Sequence, residues 1–271
     1  MRLQVIFIVL ASTVLLGSCK KDALTARQQL PEALSYGDSV FFLKTTAYQV
    51  QPIQQRAGTY SAYPDNLQID PATGAITVSL KGKDGQSQTG LRYKILFKAE
   101  NTSETDSCFI LVSGINYLDK FYYLSQNDSL IRPIYNADLQ KSIPSGNYDM
   151  AHDNKLSLNP ADGEINIKET VGRGFFNDLQ PGKHWKQLTI KYSAGDQSNS
   201  VVNSMDIILY YYNSINDVPR NVSALMQAHQ TMMVGLSQAS LPSTFAAIDN
   251  NLSSDLSLSK PRPPCVVIIG H

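Results

Sequence analysis

The stretch from Asn66 to Ser79, Asn-Leu-Gln-Ile-Asp-Pro-Ala-Thr-Gly-Ala-Ile-Thr-Val-Ser, has a second copy from Lys155 to Lys168, Lys-Leu-Ser-Leu-Asn-Pro-Ala-Asp-Gly-Glu-Ile-Asn-Ile-Lys. Each copy reads as two short alternating strands, Leu67 and Ile69 then Ile76 and Val78, and Leu156 and Leu158 then Ile165 and Ile167. An Asx-Pro-x-x-Gly turn joins them. Proline presets the first central turn position, the Asp70 or Asn159 side chain can bond the backbone two residues on, and Gly74 or Gly163 supplies a positive φ. A hairpin alone is marginal in water, so strands that alternate apolar with polar residues must bury one face against a partner sheet.

The duplication extends beyond the hairpin. Phe42-Leu43 and Pro52-Ile53 recur at one constant offset as Tyr123-Leu124 and Pro133-Ile134, and Gly58-Thr59-Tyr60 returns as Gly146-Asn147-Tyr148 after an insertion around 137–143. Downstream, Arg92 to Lys98 answers Gln187 to Tyr192, and Cys108 to Val112 answers Met205 to Tyr211. Leu91, Tyr93, Ile95 and Phe97 share one face, as do Met205, Ile207, Leu209 and Tyr211. Short strands separated by Gly, Asn, Asp and Ser clusters point to antiparallel sandwiches. The expected fold is therefore mainly β: two tandem immunoglobulin-like β-sandwiches over 38–117 and 118–213, followed by a small C-terminal helical segment and a terminal strand over 214–271.

In that last segment, Asp217-Val-Pro219 can start a helix. Val222, Leu225, Met226, His229, Met233 and Leu236 recur at helical spacing, and a second, weaker helix is expected after Ser243. Lys260-Pro-Arg-Pro-Pro264 reads as a stiff connector. Cys265-Val-Val-Ile-Ile269 then forms an apolar strand expected to pair with a sheet edge, or to enter a partner's sheet by strand addition.

At the other end, Arg2 precedes an apolar run from Leu3 to Leu16, too short to span a bilayer and right for a signal-peptide core. It ends in Leu16-Gly17-Ser18-Cys19, followed by Lys20-Lys21-Asp22. This junction resembles the lipobox of bacterial lipoproteins, which implies a signal peptide over 1–18, acylation of Cys19, and a tether over 19–37. An acylated chain is anchored and does not span. Lys20 in place of aspartate tilts the expected location to the outer membrane, with the periplasmic or cell-surface face left open.

Two further resemblances concern the sandwiches. The run Gly58-Thr59-Tyr60-Ser61, Leu67-Gln68-Ile69-Asp70, Thr73-Gly74-Ala75-Ile76 and Thr89-Gly90-Leu91-Arg92-Tyr93-Lys94-Ile95 resembles the immunoglobulin-like and dystroglycan-type cadherin-like repeats of Bacteroidota surface proteins. The second copy departs from that pattern with Asn159 and Asp162. The resemblance implies a spacer, adhesion or binding module and no catalytic residue. Ser214-Ile-Asn216-Asp217-Val-Pro219 faintly resembles the calcium linker of cadherins, but it lacks the leading aspartate and the following asparagine, and calcium takes six to eight oxygen ligands. No metal and no cofactor is expected.

Formal net charge is zero, which removes the electrostatic footprint expected of a nucleic-acid partner. His152, His184, His229 and His271 show no ligand spacing, and no nucleophile motif is present. Cys108 and Cys265 could pair in an oxidising compartment, or Cys108 could stay a buried free thiol. Tyr60, Tyr63, Tyr148 and Trp185, placed in or beside expected loops, are the ligand-contact candidates, since a ring can stack on a sugar or anchor a protein; packing is the plainer role for each. The expected function is a non-enzymatic outer-membrane lipoprotein acting as a binding or assembly module. The rivals are a glycan-binding accessory lipoprotein of a polysaccharide-uptake system and a structural subunit of a surface fibre or secretion complex.

Overall fold

The computed structural model describes residues 33–126, 129–224, 226 and 263–270. Cys19, most of the tether and the helices expected beyond residue 226 lie outside the described residues.

The duplicated turn forms in both copies. Asp70 Oδ1 accepts from the N–H of Ala72 at 2.9 Å and of Thr73 at 2.8 Å, and Gly74 N–H donates to Asp70 O at 2.9 Å. In the second copy Asn159 Oδ1 accepts from Ala161 N–H at 3.0 Å, and Gly163 N–H donates to Asn159 O at 2.9 Å. Both glycines are left-handed, Gly74 at φ 73° and Gly163 at φ 77°, where a side chain is strained. Two tyrosines at matching positions lock the loops from outside: Tyr36 O–H donates to Gly74 O and Tyr117 O–H to Gly163 O, each at 2.7 Å.

The first sandwich holds β1 (Val40–Phe41), β2 (Tyr48–Val50), β3 (Gly58–Tyr63), β4 (Ile76–Val78), β5 (Leu91–Ala99) and β6 (Thr105–Val112). Its main sheet runs β1-β6-β5-β3, and β2 pairs with β4 across the same core. The alternation along β5 sends Leu91, Tyr93, Ile95 and Phe97 inward and leaves Arg92, Lys94 and Leu96 half-buried.

The second sandwich holds β7 (Ile115–Tyr117), β8 (Lys120–Tyr123), β9 (Leu130–Ile131), β10 (Pro133–Tyr135), β11 (Gly146–Asn147), β12 (Ile165–Asn166), β13 (Trp185–Ala194), β14 (Asn203–Tyr212) and β15 (Cys265–Ile269). Its core begins at Ile115, slightly before the boundary after residue 117 that the repeat spacing suggests. The copies diverge at Ile167, where a strand was expected. A six-residue helix, α1 (Ile167–Gly172), starts there because Asn166 caps it, accepting from Glu169 N–H at 3.1 Å, and Glu169 sits in the first turn. The first copy has Leu80 where the second has Glu169, and its β4 stays strand through Val78, the residue that matches Ile167.

The main sheets also differ. In the first, β1 pairs directly and in parallel with β6, Val40 opposite Leu111. In the second the order is β11-β13-β14-β15-β8, so the C-terminal strand stands between the equivalents of β6 and β1, parallel to both. The sequence predicts pairing with a sheet edge or entry into a partner's sheet; the strand pairs on both sides within its own chain and is internal. All five of its residues are buried. Val266 and Ile268 enter the core between the sheets, while Cys265, Val267 and Ile269 face the other way and are covered with Tyr212 by Val222 and Met226.

Candidate functional site

Tyr60 and Tyr148, singled out as ligand-contact candidates, are core residues, 1% and 0% exposed. The cause is the duplicated turn. Each tyrosine lies against the turn glycine: a Cβ on Gly74 would come within 2.8 Å of the Tyr60 ring, and one on Gly163 within 3.4 Å of Tyr148 Cβ. Each hydroxyl reaches back to the residue four before it: Tyr148 O–H donates to Pro144 O at 2.8 Å, and Tyr60 Oη accepts from Arg56 N–H at 3.1 Å. Neither ring is available for stacking. Tyr63 packs half-buried against the first core. Trp185 is 38% exposed, with Lys183 Nζ 4.6 Å from its ring centroid. Tyr60 belongs to the first core and Tyr148 to the second, so no single surface gathers the four.

Cys108 and Cys265 are not joined to each other, so the pairing left open by the sequence does not form. Cys108 lies on β6 of the first sandwich and Cys265 inside the second sheet. Burial, reinforced by the Asp106 carboxylate, pushes the Cys108 thiol up to about 12, far from a nucleophilic thiolate at neutral pH. Asp217 is engaged in its own turn, accepting from Ser214 N–H at 3.0 Å in a capping box, and among the described residues no group of His, Cys, Asp or Glu could hold a metal.

A buried polar cluster joins the sandwiches. Ser113 Oγ lies 2.9 Å from Asn136 Oδ1 and 3.0 Å from Asp196 Oδ2, and Tyr135 O–H donates to the same carboxylate at 2.7 Å. Thr89 Oγ1, from the first sandwich, donates to Asn203 Oδ1 at 3.1 Å, and Ile115 N–H donates to Tyr192 Oη at 2.9 Å. Burial alone would raise the Asp196 pKa, but hydrogen bonds from Ser198, Tyr135 and Ser113 outweigh it and hold the carboxyl below its usual range. Burial pushes the Tyr135 phenol up to about 12. Serine, carboxylate and tyrosine meet here without a histidine, and Ser113 is itself buried. The arrangement suits a joint better than a nucleophile.

Two clefts open beside this joint and share Lys141. The larger, about 450 Å³, lies along β8 and β10 and is lined by Lys120, Tyr122, Arg132, Leu139, Ile143 and Asp162 among others. Arg132 Nε donates to Glu164 Oε2 at 2.9 Å within it, and Leu139 is 55% exposed. The smaller, about 230 Å³, lies between the sandwiches, with Arg92 and Leu111 from the first and Asn136 and Asp138 from the second. Asn136 Nδ2 is buried without a hydrogen-bond partner there, while its Oδ1 accepts from Gly114 N–H at 3.0 Å. Sequence reasoning missed this surface, to which Asp138, Leu139, Lys141, Ser142 and Ile143 contribute from 137–143, the insertion that breaks the repeat.

Strand order and cores together define a mainly β chain of tandem immunoglobulin-like sandwiches, and among the described residues no helix is long and apolar enough to cross a membrane. No family model and no curated protein matches the chain. Solved structures similar to it include cadherin extracellular domains and a polysaccharide-binding surface protein. Human protocadherin-24 EC1-2 is 9% identical, with 65% of this chain and 94% of that chain covered at a TM-score of 0.22. A SusE-like surface-located polysaccharide-binding protein from the Bacteroides thetaiotaomicron heparin utilisation locus is 12% identical, with 68% and 35% covered at a TM-score of 0.24. Drosophila N-cadherin EC1-4 is 10% identical, with 67% and 50% covered at a TM-score of 0.22. The chain thus spans about a third of the second structure and half of the third. At such scores the likenesses carry no argument about function.

Proposed function

We propose that the chain is a lipid-tethered, non-enzymatic module of a bacterial outer membrane that binds a partner through the clefts sharing Lys141. The observation that carries this reading is the joint: Ser113, at the end of the first sandwich, bonds Asp196 of the second, and Thr89 bonds Asn203, while Tyr135 braces Asp196 from its own side, so the groups that could resemble a reaction centre are spent on holding the sandwiches together. Beside that joint, cationic, acidic and apolar side chains line one surface of a size suited to ligand contact. The leader ending in Cys19 supplies the tether. Cross-linking in the native envelope tests the reading, with wild type compared against Leu139→Asp combined with Lys141→Glu. The variant should lose a specific cross-linked partner or bound glycan while remaining folded, and an identical capture profile would sink the proposal. A Cys19→Ala chain should leave the membrane fraction.

The exposed Trp185 favours a second reading, glycan capture on β13. It predicts retarded migration of the wild type in polysaccharide affinity gels and loss of that retardation in Trp185→Ala. No retardation of the wild type across neutral, uronic and sulfated polysaccharides removes this reading.

A further inference from the structure

The second sandwich is finished by a strand that reaches it from far along the chain. Between β14 and β8 lies a slot one strand wide, so the two stand about two strand spacings apart, roughly 10 Å. The first sandwich has no such slot, because β1 bonds β6 directly, Leu111 N–H donating to Ser39 O at 2.8 Å. In the second, β15 meets both walls: Ile208 N–H donates to Pro264 O at 2.8 Å, Leu124 N–H to Ile269 O at 2.9 Å, and Gly270 N–H to Tyr212 O at 2.9 Å. Emptied, the slot would expose two facing rows of unpaired backbone groups and apolar side chains on both faces of the sheet, which is the surface that strand addition fills.

The geometry points to β15 as an exchangeable donor strand: the slot between β14 and β8 accepts the Cys265–Ile269 strand of a second copy of this chain, linking copies head to tail. The slot and the strand that fits it are carried by the same sequence, so every copy is both acceptor and donor. The contacts inside the slot are the same whether the strand arrives in cis or in trans, and only the connection distinguishes the two. That connection runs from Tyr212 to Cys265, roughly 50 residues, and the balance between self-insertion and exchange follows the concentration of other copies relative to the effective concentration it imposes. Self-insertion therefore prevails in dilute solution and exchange prevails when copies are crowded. Because the contact is heterologous, linked copies extend into a chain unless the rotation between them closes a ring. The exchange does not depend on what occupies the clefts.

The test uses the full chain carrying Val266→Asp and Ile268→Asp, whose own strand can no longer enter the core, titrated with a synthetic peptide of residues 260–271. Saturable one-to-one binding is expected, with at least about tenfold weaker binding to the wild type, whose slot is filled; a folded variant that shows no saturable binding overturns the proposal. If the double variant does not fold, the full wild-type chain decides: equal parts carrying two different affinity tags are unfolded in urea and refolded together at high concentration. Folded species that carry both tags and come apart only on unfolding support exchange, and refolding to singly tagged monomers alone overturns it.

Discussion

Asp119, just before β8, accepts a hydrogen bond at 3.1 Å from the backbone N–H of Cys265, the first residue of β15, through its Oδ1. Asp119 is 1% exposed, so this bond forms away from water and sets where the last strand enters the sheet. Asp119→Ala should lower stability by about 1–3 kcal/mol, as for a buried donor left unsatisfied. Asp119→Asn, which keeps an acceptor oxygen, should lose less. Urea unfolding followed by circular dichroism measures both, and equal midpoints for wild type and Asp119→Ala would remove Asp119 from the docking of β15.

The two turn glycines should tolerate alanine unequally. Both would carry the strain of a positive φ, about 1 kcal/mol. At Gly74 the new methyl would also meet the Tyr60 ring at 2.8 Å, whereas at Gly163 its nearest neighbours are Pro133 Cγ and Tyr117 Oη, both at 3.3 Å. Gly74→Ala is expected to destabilise the chain more than Gly163→Ala by thermal melting. The reverse order would mean that the Tyr60 ring yields without cost.

Acid should loosen the joint through Asp196. Its folded pKa is depressed, so its stabilising contribution is fully present above the ordinary carboxylate range, near pH 4, and is lost as pH falls through the lower folded value. Wild type should therefore lose stability more steeply than Asp196→Asn between about pH 4 and the folded value. Unfolding midpoints taken at falling pH test this, and parallel acid limbs would contradict it.

Neither described thiol should react readily in the native state. Cys265 is buried, and the Cys108 thiol is held up at about 12 by burial and Asp106. Iodoacetamide at neutral pH should modify both only after unfolding, with the same count with and without reductant. Fast native labelling at Cys108 would show that β6 opens in solution.

Much of the fold can be read from residues alone. The Asx-Pro-x-x-Gly turns, the inward row Leu91, Tyr93, Ile95 and Phe97, and the strands β13 and β14 follow from local chemistry and a period of two, which the neighbouring sheet then satisfies. The place of β15 does not follow in the same way. An apolar run such as Cys265–Ile269 declares that it will be buried, but its partner depends on β8 and β14 standing apart, a long-range property of the second copy. The aromatics mislead for a related reason. Tyr60 and Tyr148 stand beside glycines and read as loop residues, yet a glycine that closes a tight turn also makes room for a ring above it. Tyr36 and Tyr117 sit at the same offset that relates Phe42 to Tyr123, a sequence signal that would have marked them as part of the same duplicated device. The clefts around Lys141 carried no such signal, because the insertion that supplies Leu139 and Lys141 has no counterpart in the first copy.

Native-state hydrogen exchange on peptides covering 263–270, compared with those covering β13 and β14, tests most directly the claim that two copies of one module are present and that the second is closed by the final strand. Amides of Val266 to Ile269 should exchange as slowly as the β14 amides and be released with them in one cooperative opening. Rapid exchange of the terminal strand while β14 stays protected would place it at an edge or outside the sheet, and would contradict the account.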